Sequence, residues 1–192
     1  HNSLTTLDIS RNLKLIKLDC GENRLSELNV NNNIALRYLY CYNNNLNNLD
    51  ISNNPELEIL ECYDNAHLQI ESIDNVMFRR NPYGTGIRVL DTTNNLKLKV
   101  LKCSSNEIAS LDLSKNSQLL HLDCDDNCIE ILDVSTTQLN HYVPKTIVYS
   151  EYPLKCKMAS LKALYLKRDW RLKGINDTFP VCIARNTQII YK

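Results

Sequence analysis

The sequence has little glycine, no net charge and no long apolar segment. Glycine contributes 4 of 192 residues, and these do not form a glycine-rich loop of the kind that cradles phosphate groups. Lys plus Arg and Asp plus Glu each total 22, so we expect no general attraction to nucleic acid or to a membrane surface. A run of about 18 apolar residues is missing, and membrane insertion is therefore not expected. The first residues lack a charged and then apolar leader, so we expect a signal peptide to be absent or already removed.

Leucine and asparagine, by contrast, are strongly overrepresented. The sequence contains 30 Leu and 25 Asn residues, and a bias toward two residue types indicates an internal repeat. The hydrophobic fraction of 43% is large enough for a packed core, which excludes a wholly disordered chain.

One repeated phrase has the pattern L-x-x-L-x-C-x-x-N. Its five cysteines are Cys20, Cys41, Cys62, Cys103 and Cys124. The first three are spaced 21 residues apart, and so are the last two. Five copies at one phase are very improbable by chance, so the phrase defines a structural repeat.

A second phrase of the same shape, L-x-x-L-x-[IVL]-x-x-N, lies between the copies of the first. It begins at Leu4, Leu25, Leu46 and Ile108, and looser copies begin at Ile87 and Ile129. Each 21-residue unit therefore holds two similar halves of roughly 10–11 residues.

The phrases predict a solenoid of stacked coils. Alternation of Leu with Leu or Cys is typical of a short strand with one buried face. The asparagine after each strand suits a turn, because its side chain bonds nearby backbone and tolerates unusual φ angles. One coil cannot bury its own leucines, whereas stacked coils share a continuous core, with equivalent strands parallel at about 4.8 Å.

These phrases, which cover residues 4 to about 137, resemble those of bacterial leucine-rich-repeat proteins with nested 21-residue repeats. This IRREKO-like class occurs in Bacteroidetes surface proteins, and cysteine often replaces leucine in it. The resemblance implies a right-handed leucine-rich-repeat solenoid that is mainly β, with parallel strands on both sides and few helices. It also implies a binding role, usually toward protein, and a secreted or cell-surface location in a bacterium.

We expect the solenoid to span residues 1–142 with about seven coils, of which the coil at 66–86 is degenerate. Cys62 and Cys103 are 41 residues apart, one short of two units. The segment Arg79–Gly86 contains one proline and two glycines, which disfavour a central strand. The degenerate coil is either drift in one repeat or a loop that offers arginine and tyrosine to a partner.

The composition changes after residue 142, and residues 143–192 are predicted to form a small mixed C-terminal cap. They carry 10 basic and 3 acidic residues, a net charge of +7. We expect strands at Thr146–Tyr149 and within Val181–Tyr191, and a helix over Met158–Trp170 from its three- and four-residue apolar spacing. The basic charge is either a solvated surface, a complement to acidic coils or an anion site.

The cysteines of the repeat replace inward leucines, so we expect them to be core residues and expect no metal or cofactor. Cys124 and Cys128 resemble half of a metal site, but no second pair follows. Cys156 and Cys182 lie in the predicted cap and can form a disulfide if the protein is exported. Catalysis is not expected, because the pattern places no nucleophile beside His121, which we predict on the exposed side of a strand.

The outward positions of the cysteine phrases supply the candidate ligand-binding residues. Those on neighbouring strands are Tyr38, Tyr40, Tyr42, Ile59, Glu61 and Tyr63, and the adjoining loop adds Arg79, Arg80 and Tyr83. Tyrosine is favoured at interfaces because it is large, stiff and amphipathic. The leading hypothesis is a non-catalytic recognition module for a protein partner. The alternatives are glycan binding, a structural spacer in a longer surface protein, and cross-strand aromatic packing that only stabilises the sheet.

The outward positions of the second phrase are mainly acidic. They are Asp8, Asn29, Asp50, Asp91, Asp112 and Asp133, flanked by Ser10, Ser52, Ser114 and Ser135. Stacked carboxylates repel one another unless they are screened, protonated or bridged by a cation. Two interpretations stay open, namely hydrogen bonds from serine or backbone groups and a weak calcium ladder.

Overall fold

The structure is a computed structural model that describes residues 2–66, 69–73, 76–80, 86–139, 154–167 and 187–192, with the backbone alone described for 69–73 and 76–80. The described strands form three sheets. In chain order they are β1 (Lys17–Asp19), β2 (Tyr38–Tyr40), β3 (Ile59–Glu61), β4 (Gln69–Ile73), β5 (Val76–Arg80), β6 (Val100–Lys102), β7 (His121–Asp123), β8 (Ile131–Asp133), β9 (Leu154–Lys155), β10 (Ala163–Leu166) and β11 (Gln188–Tyr191).

The largest sheet is built from the cysteine phrases. Its six strands follow the order β1-β2-β3-β6-β7-β9, and every neighbouring pair is parallel. Equivalent leucines are in register, since Leu18 pairs with Leu39 and Leu39 with Leu60. Successive strand residues point to opposite faces, so these leucines face the core and the residues on either side of them face outward. Stacked coils with parallel strands are what the repeat predicts.

The cysteines two residues beyond these leucines form a second inward column, which we call the cysteine column. Its members are Cys20, Cys41, Cys62, Cys103, Cys124 and Cys156, and all are buried. Cys156 joins the column because β9 pairs with β7 and the Cys124 N–H donates to the Lys155 carbonyl at 2.9 Å. Burial raises the pKa of the Cys41 and Cys62 thiols well above the ordinary value. The thiols stay protonated and pack as small apolar groups, which confirms their predicted place in the core.

Buried asparagines that follow the cysteines connect each coil to the preceding one. This first asparagine column consists of Asn23, Asn44, Asn65, Asn106 and Asn127. The Asn44 Nδ2 donates to the carbonyls of Cys41 in its own coil (3.2 Å) and Cys20 in the preceding coil (3.0 Å). Its Oδ1 accepts the N–H of Leu25 at 3.0 Å. These asparagines therefore shape the turn, as predicted, and also satisfy buried backbone groups between coils.

A second asparagine column follows the other phrase and works in a similar way. Its members are Asn33, Asn54, Asn95 and Asn116, all fully buried. The Asn54 Nδ2 donates to the carbonyls of Val30 at 3.1 Å and Asn33 at 2.9 Å, both in the preceding coil. The two asparagine columns thus join neighbouring coils at both ends of the large sheet's strands.

The interval between Cys62 and Cys103 is one coil plus an insertion. Its 41 residues equal one 21-residue unit plus 20 residues. Strand β3 pairs directly with β6, and the Asn106 Nδ2 donates to the Cys62 carbonyl at 3.0 Å, the contact made between adjacent coils elsewhere. In place of the expected degenerate coil at 66–86, β4 and β5 form an antiparallel hairpin. The hairpin leaves the solenoid between Ala66 and Ile87, so the stacked coils stay continuous.

Strands form on the second side of the solenoid only toward the C-terminal end of the described residues. There β8, β10 and β11 make a parallel three-stranded sheet. In the earlier coils the described residues of the second phrase form no strand, although the same hydrogen bond is made in both places, from the Ser52 N–H to Asp50 and from the Ser135 N–H to Asp133, each at 3.0 Å. The expectation of strands on both sides therefore holds in the later coils and not in the earlier ones.

The described residues after 142 differ from the predicted cap. The helix expected over Met158–Trp170 is wrong, because β10 occupies Ala163–Leu166 with Leu164 and Leu166 buried. The strand expected within Val181–Tyr191 corresponds to β11, and Thr146–Tyr149 lies outside the described residues. Since β9 and β10 extend the two parallel sheets, the division at residue 142 into solenoid and cap stays a prediction.

The turn after each of the first five members of the cysteine column contains one residue in the left-handed backbone region. These residues are Glu22 (φ 55°), Asn43 (53°), Asp64 (53°), Ser105 (52°) and Asp126 (49°). A side chain with a Cβ is strained there by about 1–2 kcal/mol, least for Asn and Asp. The strain recurs at one phase of the repeat, so it belongs to the coil geometry.

Substitution of Ser105 by glycine is therefore expected to stabilise the protein by about 0.5–1 kcal/mol, the relief of strain being partly offset by the greater entropy of glycine in the unfolded chain. The matched control is Ser104→Gly, since Ser104 has no positive φ, and it should destabilise by a similar amount. Urea unfolding of both variants measures the difference, and equal effects of the two substitutions would contradict the assignment.

Candidate functional site

The predicted binding residues of the cysteine phrases lie side by side on the outward face of the large sheet. The register pairs Tyr38 with Ile59 and Tyr40 with Glu61, and Tyr42 and Tyr63 follow two residues beyond. We call these six residues the tyrosine face. Their side chains are all half-buried, so each packs against a neighbour and also presents surface to solvent.

Tyr42 and Tyr63 form a parallel stack. Their ring centroids are 4.8 Å apart and their planes differ by 4°, a distance close to the strand spacing of about 4.8 Å. The other side of the Tyr42 ring lies against Gly21, where an added Cβ would approach the ring to 2.6 Å. Because Gly21 has no side chain, the Tyr42 ring can pack directly against the neighbouring coil. The sequence analysis identified both tyrosines and missed the role of Gly21.

A lysine and an arginine side chain lie over the rings of the other two tyrosines, Tyr40 and Tyr38. The Lys17 Nζ is 5.2 Å from the Tyr40 ring centroid, and the Arg37 guanidinium carbon is 5.5 Å from the Tyr38 centroid. These distances fit cation–π contacts. Neither cation was among the predicted site residues, although the strand alternation places Lys17 in register with Tyr38.

The hydroxyls of Tyr40, Tyr42 and Tyr63 stay protonated at neutral pH. Burial raises the pKa of Tyr63 to about 12, and burial also raises the pKa of Tyr40 and Tyr42. A neutral phenol both donates and accepts hydrogen bonds. The face therefore presents aromatic edges together with neutral polar groups, a combination suited to interfaces.

Charged residues beside and beyond the tyrosine face pair across coils. Glu58 contacts both Arg37 and Lys99 (2.9 Å for Lys99), and Glu61 contacts Lys102 at 3.1 Å. Partly exposed pairs of this kind contribute about 0–1 kcal/mol each. They join neighbouring coils and pair three cations near the face, namely Arg37, Lys99 and Lys102.

Three lysines after residue 142 pair with acidic residues of the preceding coils. The pairs are Lys155 with Asp123 (3.1 Å), Lys162 with Glu130 (2.8 Å) and Lys192 with Asp133 (2.5 Å). This part of the basic charge therefore complements acidic coils, which is one of the alternatives that the sequence left open.

The remaining predicted site residues belong to the inserted hairpin. Arg79 and Arg80 lie in β5, whose backbone is described, and Tyr83 lies outside the described residues. Their membership of a binding site stays a prediction.

His121 and the aspartates were the other candidates for chemistry. His121 is 2% exposed, so the expectation of an exposed histidine is wrong. The aspartates accept hydrogen bonds from serine or threonine two residues on, which lowers the pKa of Asp8, Asp91 and Asp112. Of the two interpretations left open by the sequence, these bonds correspond to hydrogen bonding of the aspartates by serine or backbone groups. Among the described residues no group of three His, Cys, Asp or Glu is placed to hold a metal ion.

Within the described ranges, no helix reaches the length and hydrophobicity that crossing a bilayer requires.

Comparisons with known proteins give matches among solved structures. No protein-family model matches the chain, and no curated protein matches it in sequence. An internalin (InlF) of Listeria monocytogenes aligns with 98% of this chain at 16% identity and a TM-score of 0.54. A functional domain of InlJ from Listeria monocytogenes, described as including a cysteine ladder, aligns with 87% of the chain at 26% identity and a TM-score of 0.35.

The chain spans less than half the length of either match, 47% of the InlF chain and 42% of the InlJ chain. Internalins are leucine-rich-repeat proteins, and the similarity to InlF extends over nearly the whole chain described above. Together with the parallel six-stranded sheet, this similarity shows that the chain has the fold of a leucine-rich-repeat solenoid.

Proposed function

We propose that the chain is a non-catalytic recognition module that binds a partner protein through the tyrosine face. The observation that carries the proposal is the clustering of Tyr38, Tyr40, Tyr42 and Tyr63 on adjacent strands, with each side chain still partly exposed. Tyrosine side chains held by stacking and cation–π contacts lose little entropy on binding, which favours tight association.

A glycan is the weaker candidate for the same face. Sugar rings stack on open aromatic faces, but Lys17 and Arg37 lie over the rings of Tyr40 and Tyr38, and Gly21 and Tyr63 enclose the Tyr42 ring. What these rings offer is mainly their edges and hydroxyls, which suit the mixed polar and apolar contacts of a protein interface.

Affinity capture with immobilised protein tests the proposal. The Tyr38→Ala, Tyr40→Ala, Tyr42→Ala triple variant should lose a protein that the parent retains, because a hot-spot tyrosine contributes about 2 kcal/mol or more to binding. The matched control replaces three exposed residues outside the face, Ser26, Asn48 and Ser110, with alanine.

The outcomes of this capture separate the hypotheses. Retention by parent and control, with loss by the tyrosine variant, supports the protein-binding face. Bound material that resists protease and is removed by glycosidases favours the glycan. Equal retention by all three proteins contradicts any role of the tyrosine face and favours a structural spacer.

Three finer statements belong to the same proposal. We propose that Arg79, Arg80 and Tyr83 of the hairpin add to the interface, which deletion of residues 67–86 tests in the same assay. We also propose that the chain belongs to the nested 21-residue class and acts at a bacterial cell surface or after secretion, as its repeat phrases imply.

A further inference from the structure

The turn that leads into the large sheet carries an exposed apolar residue in four successive coils. In the first coil the Leu15 N–H donates to the Asn12 carbonyl at 3.0 Å, and Leu13 occupies the first corner of this turn. The next four coils close the same turn at 3.0–3.1 Å, through the N–H groups of Leu36, Leu57, Leu98 and Leu119. The residues at the equivalent corner are, in order, Leu13, Ile34, Pro55, Leu96 and Ser117.

Buried asparagines hold these turns directly against one another. The Asn12 carbonyl that closes the first turn also accepts the Asn33 Nδ2 of the next coil at 2.9 Å. Asn54, Asn95 and Asn116 repeat this contact at 2.9–3.0 Å. The corner residues therefore form one line along the edge of the solenoid, with neighbours separated by about the strand spacing of 4.8 Å. We call the four apolar members of this line the corner row, namely Leu13, Ile34, Pro55 and Leu96.

The side chains of the corner row are open to solvent. Leu13, Ile34 and Leu96 are 60%, 61% and 53% exposed, and Pro55 is exposed as well. The fold does not require apolar residues here, because Ser117 occupies the same corner in the fifth coil, and leucine and isoleucine are not typical turn residues. Scattered apolar residues on a surface need no explanation, whereas a contiguous set marks an interaction surface.

The charges beside the corner row are mainly positive. The positions two before and one after the corner residue hold one carboxylate, Glu56, and four cations, namely Arg11, Lys14, Lys97 and Lys115. Glu56 pairs with Lys97 at 2.6 Å, so the other three cations have no carboxylate partner within these turns. Arg11 and Lys14 lie at one end of the row and Lys115 at the other.

The aspartates of the second phrase lie beyond a further turn. In the first coil this turn is closed by the Asn12 N–H, which donates to the Ile9 carbonyl at 2.9 Å, and Asp8 precedes it. Asp8 accepts the Ser10 N–H, and Asp112 accepts the Ser114 N–H, both at 2.9 Å. These carboxylates belong to the second side of the solenoid, so the corner row itself combines apolar side chains with unpaired cations.

We propose that the corner row is a membrane-contacting edge, which lays the solenoid along a bilayer surface that contains anionic lipid. A line of turn corners is convex, and a convex apolar line fits a deformable acyl boundary, whereas a folded partner would need a matching groove. Apolar side chains between cations are the chemistry of interfacial binding, because the side chains enter the acyl boundary and the cations meet lipid phosphates. The chain has no net charge, so its binding to lipid depends on this edge. No residue of the tyrosine face belongs to the row.

Sedimentation with lipid vesicles tests the charged part of the proposal. The parent chain should bind vesicles of phosphatidylcholine and phosphatidylglycerol in equal parts about tenfold or more tightly than vesicles of phosphatidylcholine alone, since each cation near an anionic surface adds about fivefold. The variant Arg11→Gln, Lys14→Gln, Lys115→Gln should bind the two vesicles within about twofold of each other.

Replacement of the apolar side chains provides the decisive comparison. Leu13→Ser, Ile34→Ser, Leu96→Ser introduces the residue that the fifth coil already has, and it should weaken binding to the anionic vesicles by about tenfold or more. Ile34→Ser alone should weaken it by about threefold, which keeps the test decisive if the triple variant is unstable. The matched control introduces serine at three exposed apolar positions outside the row, namely Val89, Ile131 and Tyr191.

The control should bind within about twofold of the parent, and the thermal unfolding midpoint of each variant verifies that the fold is intact. Failure of the parent to bind the anionic vesicles, or equal losses in the row variant and the control, overturns the membrane edge. A protein that the parent captures and the row variant loses, without vesicle binding by the parent, overturns it as well and assigns the row to a protein partner.

Discussion

Replacement of Asn44 by alanine is expected to lower the free energy of unfolding by about 3–5 kcal/mol. Asn44 is fully buried, and its side chain makes hydrogen bonds to backbone groups of two coils. Alanine leaves the Leu25 N–H without its acceptor and the Cys20 carbonyl without this donor. Each buried group deprived of a partner costs about 1–3 kcal/mol, and several such costs add at one site.

Urea unfolding of Asn44→Ala beside Asn48→Ala measures this effect. Asn48 is exposed, so its substitution should change the stability by less than about 0.5 kcal/mol. A loss below about 1 kcal/mol for Asn44→Ala would mean that water or a backbone shift satisfies the exposed groups, and the asparagine column would then have no large part in joining the coils.

The repeat period was the most predictable feature of the chain. The 21-residue spacing of Cys20, Cys41 and Cys62 predicts parallel strands in register, and all three thiols are buried in that arrangement. The asparagines were predicted as turn residues from their local chemistry. Their bonds between coils depend on how the coils stack, which the sequence of a single coil does not reveal.

Two expected elements were wrong, namely the helix over Met158–Trp170 and the degenerate coil at 66–86. In both cases the spacing of residues in the sequence fits more than one structure. Leu161, Leu164 and Leu166 have the spacing of the repeat phrase, and Leu164 pairs in register with Leu132 of β8. A three-residue spacing also places apolar residues on one face of a helix, and the change in composition after residue 142 favoured the helix. The hairpin was misread for a similar reason, because 41 residues is close to two 21-residue units.

The sequence predicted which residues lie on the tyrosine face, but it did not predict how their side chains contact one another. Alternation along β2 suffices to place Tyr38 and Tyr40 outward. The stacking of Tyr42 on Tyr63 also depends on the neighbouring coil, where Gly21 leaves room for the ring. This role of Gly21 can be found in the sequence by looking, in the adjacent repeat, for a small residue at the position equivalent to an aromatic one.

Deletion of residues 67–86 is expected to leave the solenoid intact and to raise the free energy of unfolding by about 1–3 kcal/mol, the loop-closure entropy of a 20-residue insertion. The deletion joins Ala66 to Ile87 and restores a spacing of 21 residues between Cys62 and Cys103. No contact between β3 and β6 is lost, because these strands already pair directly.

The matched control removes one true coil of similar length, residues 88–108. This deletion preserves the repeat phase, but it removes β6 and buried residues such as Leu98, Leu101 and Cys103. Its free energy of unfolding and its urea m-value should both fall, because stability in a solenoid is a sum over coils and their interfaces, and m follows the surface that unfolding exposes. The m-value of the 67–86 deletion should change much less. If both deletions lowered stability and m alike, residues 67–86 would behave as a member of the stack, and the direct succession of the third and fourth coils would be refuted.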